Sequence, residues 1–148
     1  MTSGAPRPGR PRRPGSPEMT LDHVGIVVRS IDAAARLYGA AFGLRIAERY
    51  ELPVEGVRLA FLPSGPVLVE LLEPIGDAGS IAKFLSTRGP GLHHIAFRVS
   101  DITAALHEAS EAGCTPVDPA PRPGARGHMI AFLHPSTAGG VLIELVQA

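Results

Sequence analysis

The sequence predicts an α+β fold built from one βαβββ unit written twice. Two observations carry this: a long internal repeat, and a shared order of elements within each copy. At an interval of 71 residues Leu21 matches Leu92, His23 matches His94, Ile31 matches Ile102, and Ala33-Ala34 matches Ala104-Ala105. The same interval carries "AFL" at 60–62 onto "AFL" at 131–133, and "VLVEL" at 67–71 meets "VLIEL" at 141–145 at an interval of 74. The three extra residues fall in "HPSTAGG". That is a hairpin loop, where insertion costs least.

Each copy opens on a strand rich in Val, Ile and Phe, expected over about 21–28 and 92–99. A helix follows, "SIDAAARLYGAAFG" in the first copy and "DITAALHEASEAG" in the second, with Asp101 as an N-cap and Gly43 and Gly113 as stops. Three shorter strands complete each unit, near 45–50, 57–62 and 67–72, and near 115–118, 128–134 and 140–146. The join contains "SIAKFLSTRGPG", read as a short helix and a glycine-rich turn. The organisation expected is a tail over 1–19 and one domain over 20–148, with modules at about 20–73 and 92–148 and a linker at about 74–91.

Composition bounds what such a domain does. A chain of 148 residues with 45% hydrophobic content and a formal charge of +0 is one domain with a full core, and its charge disfavours nucleic acid or an acidic membrane surface as partner. Residues 1–19 hold four arginines, one acid, five prolines and three glycines, which predicts a disordered extension and places a natural start at Met19. The rest carries ten bases against thirteen acids. No apolar run suits a secretory signal or a membrane span, and a single cysteine, Cys114, forms no internal disulfide. A cytoplasmic protein is expected.

The alternation of strand side chains sorts the histidines of "GLHHIAFRV". His93 shares a face with Ile95, Phe97 and Val99 and reads as structural. His94 shares a face with Leu92, Ala96 and Arg98, as His23 does with Leu21, Gly25 and Val27. Small residues on that face suit the wall of a cavity. Glu70 and Glu144 sit inside apolar runs, where an unpaired carboxylate is costly. A pseudo-twofold relation between the copies brings His23, Glu70, His94 and Glu144 together. Two imidazoles and two carboxylates make a site for Zn, Co, Mn, Ni or Fe. His134 and His128 read as surface or outer groups, His107 as solvated, and Lys83, Arg122 and Arg126 as cations able to meet an anion. The "RPGARG" run is no phosphate loop.

The paired modules with strand-borne His and Glu resemble the vicinal oxygen chelate (glyoxalase/bleomycin resistance) superfamily over about 20–148. Within it, "DHVGIVV", "VELLEP", "SIAKFL", "GLHHIAFRV", "FLHP" and "GGVLIELVQ" are similar to the methylmalonyl-CoA epimerase family. The resemblance implies a curved eight-stranded mixed sheet around a divalent metal, cobalt before zinc, manganese, nickel or iron. It makes His23, His94 and Glu144 ligands, with Glu70 at the fourth position. It implies an isomerase that interconverts (R)- and (S)-methylmalonyl-CoA by 1,1-proton transfer through a metal-stabilised enolate, with Glu144 as one proton carrier. An acyl-CoA thioester is then the substrate, and a homodimer the assembly.

The chain departs from that pattern at one place. Some relatives carry a second catalytic glutamate shortly after the "GV" that here is Gly56-Val57, and the matching residue is Leu59. Glu70, Glu55 or a metal-bound water remain open for the second role. Two rival readings use the same fold: a glyoxalase I-like metal-dependent lyase, told apart by its thiol carrier, and a non-enzymatic binding protein. The intact His and Glu set speaks against the latter.

Overall fold

The computed structural model describes Pro14 and residues 19–148. The expected tail over 1–19 therefore lies, apart from Pro14 and Met19, outside the described residues. The elements follow the repeat: strands β1 (Thr20–Val27), β2 (Glu48–Leu52), β3 (Val57–Ser64) and β4 (Val67–Pro74) with helix α1 (Ile31–Phe42), then helix α2 (Ser80–Arg88). The second copy supplies β5 (Gly91–Arg98), α3 (Ile102–Glu111), β6 (Arg122–Pro123), β7 (Met129–Leu133) and β8 (Ile143–Gln147). Eight strands in mixed pairing, with the expected helices between them, agree with the fold class read from the sequence. Two compact units are formed, residues 22–94 and residues 95–148 with the lead-in through Leu21.

In the first unit the strand order is β2-β3-β4-β1, with β1 parallel to β4 and the other pairs antiparallel. In the second it is β5-β8-β7-β6, with β5 parallel to β8 and the others antiparallel. The helix crossover sets the parallel pair and the tight turns set the antiparallel ones. Equivalent hydrogen bonds recur in both. Ser30 Oγ accepts from Ala33 N at 3.1 Å, and Asp101 Oδ1 accepts from Ala104 N at 3.0 Å, so each helix has a side-chain N-cap. The last strand of each unit then reaches its own helix: Glu73 Oε1 accepts from Ile31 N at 3.2 Å and Gln147 Oε1 from Ile102 N at 2.8 Å.

The helices cover one face of each set of strands. Val28, Ile31, Ala60, Leu62 and Leu71 form the core beneath α1, joined by Ile26, Ala34 and Val69. Val99, Ile102, Ala105, Leu106, Ala131, Leu133 and Leu145 form its counterpart beneath α3. Gly43 ends α1 in the left-handed conformation at φ 71°. Helix α3 ends at Glu111 with Ala112 as its C-cap, and Gly113, the expected stop, follows with φ 103°.

The expected strand over 115–118 is absent. It is reduced to a single bridge between Pro116 and Leu133, and the ladder partner of β7 is instead the two-residue β6. Prolines at 116, 119, 121 and 123 remove the backbone donors a ladder needs. On the facing strand Phe132 N donates to the Asp118 carboxylate at 2.8 Å in place of a ladder carbonyl. The "HPSTAGG" loop holds a 3₁₀ turn at Pro135–Thr137, so the final strand begins at Ile143 rather than near 140.

Candidate metal centre

The face of the first unit turned away from α1 carries the chemistry. Alternation puts His23, Gly25 and Val27 on that face of β1, and Gly25 stands opposite Glu70 in the parallel register with β4. His94 follows from β5. Its ring occupies the space over Gly25, where a Cβ would collide with Cε1, Nδ1 and Nε2 of the imidazole. Gly25 is therefore the hollow that seats the His94 ring.

Three side chains converge there. His23 Nε2 lies 3.1 Å from His94 Nε2, and Glu70 Oε1 lies 3.3 Å from His94 Nε2 and 3.8 Å from His23 Nε2. Their exposures are only 3%, 2% and 6% for His23, His94 and Glu70, so water does not solvate this polar group. The Phe61 ring packs edge-on to His23, with centroids 5.9 Å apart, and shields it further.

The remaining ring nitrogens are also engaged. Asp22, itself 2% exposed, accepts from His23 Nδ1 at 2.7 Å. A proton held on Nδ1 leaves the Nε2 lone pair for a ligand, the arrangement by which outer carboxylates orient metal-binding histidines. His94 Nδ1 lies 2.8 Å from His93 Nδ1. His93 packs against Phe84 of α2, centroids 5.1 Å apart, and the Arg88 guanidinium covers that phenyl ring at 5.5 Å. So His93 packs as expected of a structural residue, and in addition it reaches a candidate ligand. Two imidazoles and a carboxylate, buried, convergent and oriented from behind, form a donor set that suits a divalent first-row ion.

Glu144 belongs to the other unit. It lies on β8, 6% exposed, opposite Ala96 and Phe132 in the register. Leu59 is buried on β3, opposite Tyr50 and Leu72. His134 is exposed and caps the 3₁₀ turn, its Nδ1 accepting from Ser136 N at 3.1 Å. His107 and Lys83 are exposed on their helices, and His128 is half-buried. Arg122 pairs with Asp118 at 3.0 Å. Arg126 holds φ 60°, the one positive-φ non-glycine among the described residues.

Sequence reasoning missed Asp22, whose signal was a carboxylate next to His23 at the head of an apolar strand. It also missed the link from His93 to His94 and the reason for Gly25. No helix among the described residues is long and apolar enough to cross a membrane.

Residues 22–132 match the family model of the glyoxalase/bleomycin resistance protein/dioxygenase superfamily. An ethylmalonyl-CoA/methylmalonyl-CoA epimerase of Cereibacter sphaeroides is 37% identical over 129 residues, covering 86% of this chain and 96% of that protein. The crystal structure of methylmalonyl-CoA epimerase from Mycobacterium tuberculosis is 39% identical with a TM-score of 0.80, covering 86% of each chain. A Streptomyces coelicolor methylmalonyl-CoA epimerase in complex with 2-nitronate-propionyl-CoA is 34% identical with a TM-score of 0.84, covering 88% of this chain and 99% of that one. The chain belongs to this superfamily.

Proposed function

We propose that this chain is a methylmalonyl-CoA epimerase that holds a divalent ion on His23, Glu70, His94 and Glu144. The observation that carries the reading is the buried convergence of His23 Nε2, His94 Nε2 and Glu70 Oε1 within 3.1–3.8 Å. Glu144 completes the set as the repeat equivalent of Glu70. It is buried in an apolar strand and stands opposite Ala96, which shares its side of β5 with His94. The relatives named epimerases, one of them holding an acyl-CoA analogue, support an acyl-CoA thioester as substrate.

The carbon to be inverted lies between a thioester and a carboxylate, so its proton is acidic once the negative charge of the enolate is stabilised. A bound divalent ion supplies that stabilisation as a Lewis acid, and cobalt is the ion we favour. Asp22 and His93 fix the ring orientations of His23 and His94. Glu144 moves a proton at one face of the α-carbon. The low exposure of the site excludes the water that would otherwise quench the enolate at random. The resemblance further supports a homodimer, and the lone cysteine, Cys114, favours a reducing compartment such as the cytoplasm.

The test is exchange of the α-proton of methylmalonyl-CoA in D₂O, with protein stripped by EDTA and then given Co²⁺. Exchange and epimerisation that appear only with the metal are expected. A metal-loaded protein that exchanges nothing overturns the reading.

A further inference from the structure

We infer that Arg122, clamped by Asp118 over the Phe132 ring, binds the free carboxylate of the acyl-CoA substrate. The inference rests on the epimerase reading and names the group that recognises the acid end of the acyl chain. Such a group has two chemical tasks. The α-carbon of a malonyl thioester carries a carboxylate whose negative charge opposes enolate formation, and a guanidinium paired with it offsets that charge. The same pairing tells a malonyl thioester from a simple acyl thioester.

The register of the second unit places Arg122. Ala131 and Leu133 pack beneath α3, so alternation turns Ile130 and Phe132 of β7 to the other face. Arg122 opposes Ile130 across the ladder of β6 and β7 and shares that face, and its guanidinium stands over the Phe132 ring at 5.8 Å. Phe132 in turn opposes Glu144. The guanidinium is therefore carried on the residue next to the candidate ligand, all within residues 95–148. Asp118 fixes it there. One carboxylate oxygen accepts from Arg122 Nε at 3.0 Å and the other from Phe132 N at 2.8 Å, which ties the side chain to the strand. An ion pair this exposed adds little stability. It does orient the guanidinium, whose other N–H groups sit on its two terminal nitrogens as a planar fork matched to a carboxylate. The Arg122 side chain is 39% exposed, so an anion can reach it.

The two copies of the repeat differ at this row. In the first unit the row next to Glu70 reads Val27, Leu72, Leu59 and Tyr50, from β1 to β2. In the second, the row next to Glu144 reads Arg98, Val146, Ile130 and Arg122, from β5 to β6. The middle of the row is aliphatic and buried in both units. Its ends change from Val27 and Tyr50 to two arginines. The fold does not call for that change, since the first unit builds the same ladder with no cation in this row. The second unit thus places positive charge in the row beside Glu144, as an anionic acyl group requires. Asp118 and Phe132 preorganise Arg122 for that task.

The experiment uses the full chain loaded with Co²⁺ and compares the binding of malonyl-CoA and acetyl-CoA by calorimetry, since the two differ only in the carboxylate. In Arg122→Gln, affinity for malonyl-CoA is expected to fall about 10–100-fold, with affinity for acetyl-CoA unchanged. Arg122→Lys keeps the charge without the fork and should lie between wild type and Arg122→Gln. With methylmalonyl-CoA, KM should rise in Arg122→Gln. Metal content and melting temperature, expected at wild-type values, report that the variant is folded, and Arg122→Lys carries the comparison otherwise. Equal affinity of wild type and Arg122→Gln for malonyl-CoA overturns the inference. An equal loss for both thioesters overturns it too, because it puts Arg122 on a phosphate of the carrier. A wild-type protein that binds neither thioester overturns the epimerase reading itself, and this inference with it.

Discussion

The His94 ring rests on Gly25, so closely that any side chain at position 25 would occupy the same space as the imidazole. This relationship joins two copies of one repeat position: His94 is the counterpart of His23, and Gly25 lies two residues beyond His23 on the same face. Replacing Gly25 with alanine should drive the ring out of line with His23 Nε2 and Glu70 Oε1. Overpacking of this kind costs about 1–3 kcal/mol, read as a lower urea midpoint. The visible spectrum of bound Co²⁺ should change as well, since the ligand field depends on the ring's position. A variant with wild-type stability and an unchanged spectrum would show that the ring is seated elsewhere.

Asp22 and His93 should matter to metal affinity without being ligands. Asp22→Asn leaves the packing intact and weakens the hold on His23 Nδ1. His93→Phe keeps the contact with Phe84 and removes the nitrogen that faces His94. Each should weaken Co²⁺ binding about 10–100-fold, the range found when outer partners of metal-bound histidines are removed. His94→Ala should abolish binding. Titration of the apo-protein with Co²⁺ separates these outcomes, and equal affinity in wild type and His93→Phe would return His93 to a purely packing role.

The legible parts of the site were those that obey a simple period. His23, Glu70 and His94 could be read because strand alternation and the internal repeat point to the same positions. Asp22 could not, since strict alternation puts it on the face opposite His23, whereas its carboxylate reaches round to the ring. The 115–118 strand was misread for the opposite reason: the repeat demands an element there, but the prolines at 116 and 119 allow only a bridge. The repeat sets topology, and local backbone chemistry decides how much of each strand survives.

Stability should fall slightly in acid through Asp32. Its carboxyl is held below its ordinary value of 3.8, first by the hydrogen bond from Arg49 at 2.7 Å and then by the charge of that guanidinium. A lowered folded-state value favours the ionised form. The contribution is therefore complete above the ordinary value and disappears as pH falls through the folded one. Both side chains are mostly exposed, at 55% and 67%, so the effect is small and screened by salt. Asp32→Asn should be slightly less stable than wild type at neutral pH in low salt and equal to it well below the ordinary carboxylate range. A difference in urea midpoint that persists in strong acid would assign the effect to something other than charge.

The contacts from β8 to α3 and from β4 to α1 should not be equal in worth. Gln147 Oε1 accepts from Ile102 N at 2.8 Å, and Ile102 is buried in the core beneath α3. Gln147→Ala leaves that first-turn N–H without its acceptor and should cost about 1 kcal/mol, the usual size of a lost helix-start bond. Gln147→Glu keeps the acceptor and adds a negative charge at the helix N-terminus, where the dipole favours it, so it should hold wild-type stability. Glu73, the counterpart, divides its carboxylate between Ile31 N at 3.2 Å and Arg58 at 3.3 Å. Arg58 also pairs with Glu51, and its guanidinium is held more firmly protonated than usual by those two carboxylates. Glu73→Gln therefore keeps the bond to the helix and loses only an exposed ion pair, which Glu51 partly replaces. Its urea midpoint should stay within the scatter of wild type while that of Gln147→Ala falls. The reverse order would mean that the ion pair, and not the helix contact, anchors the end of the strand.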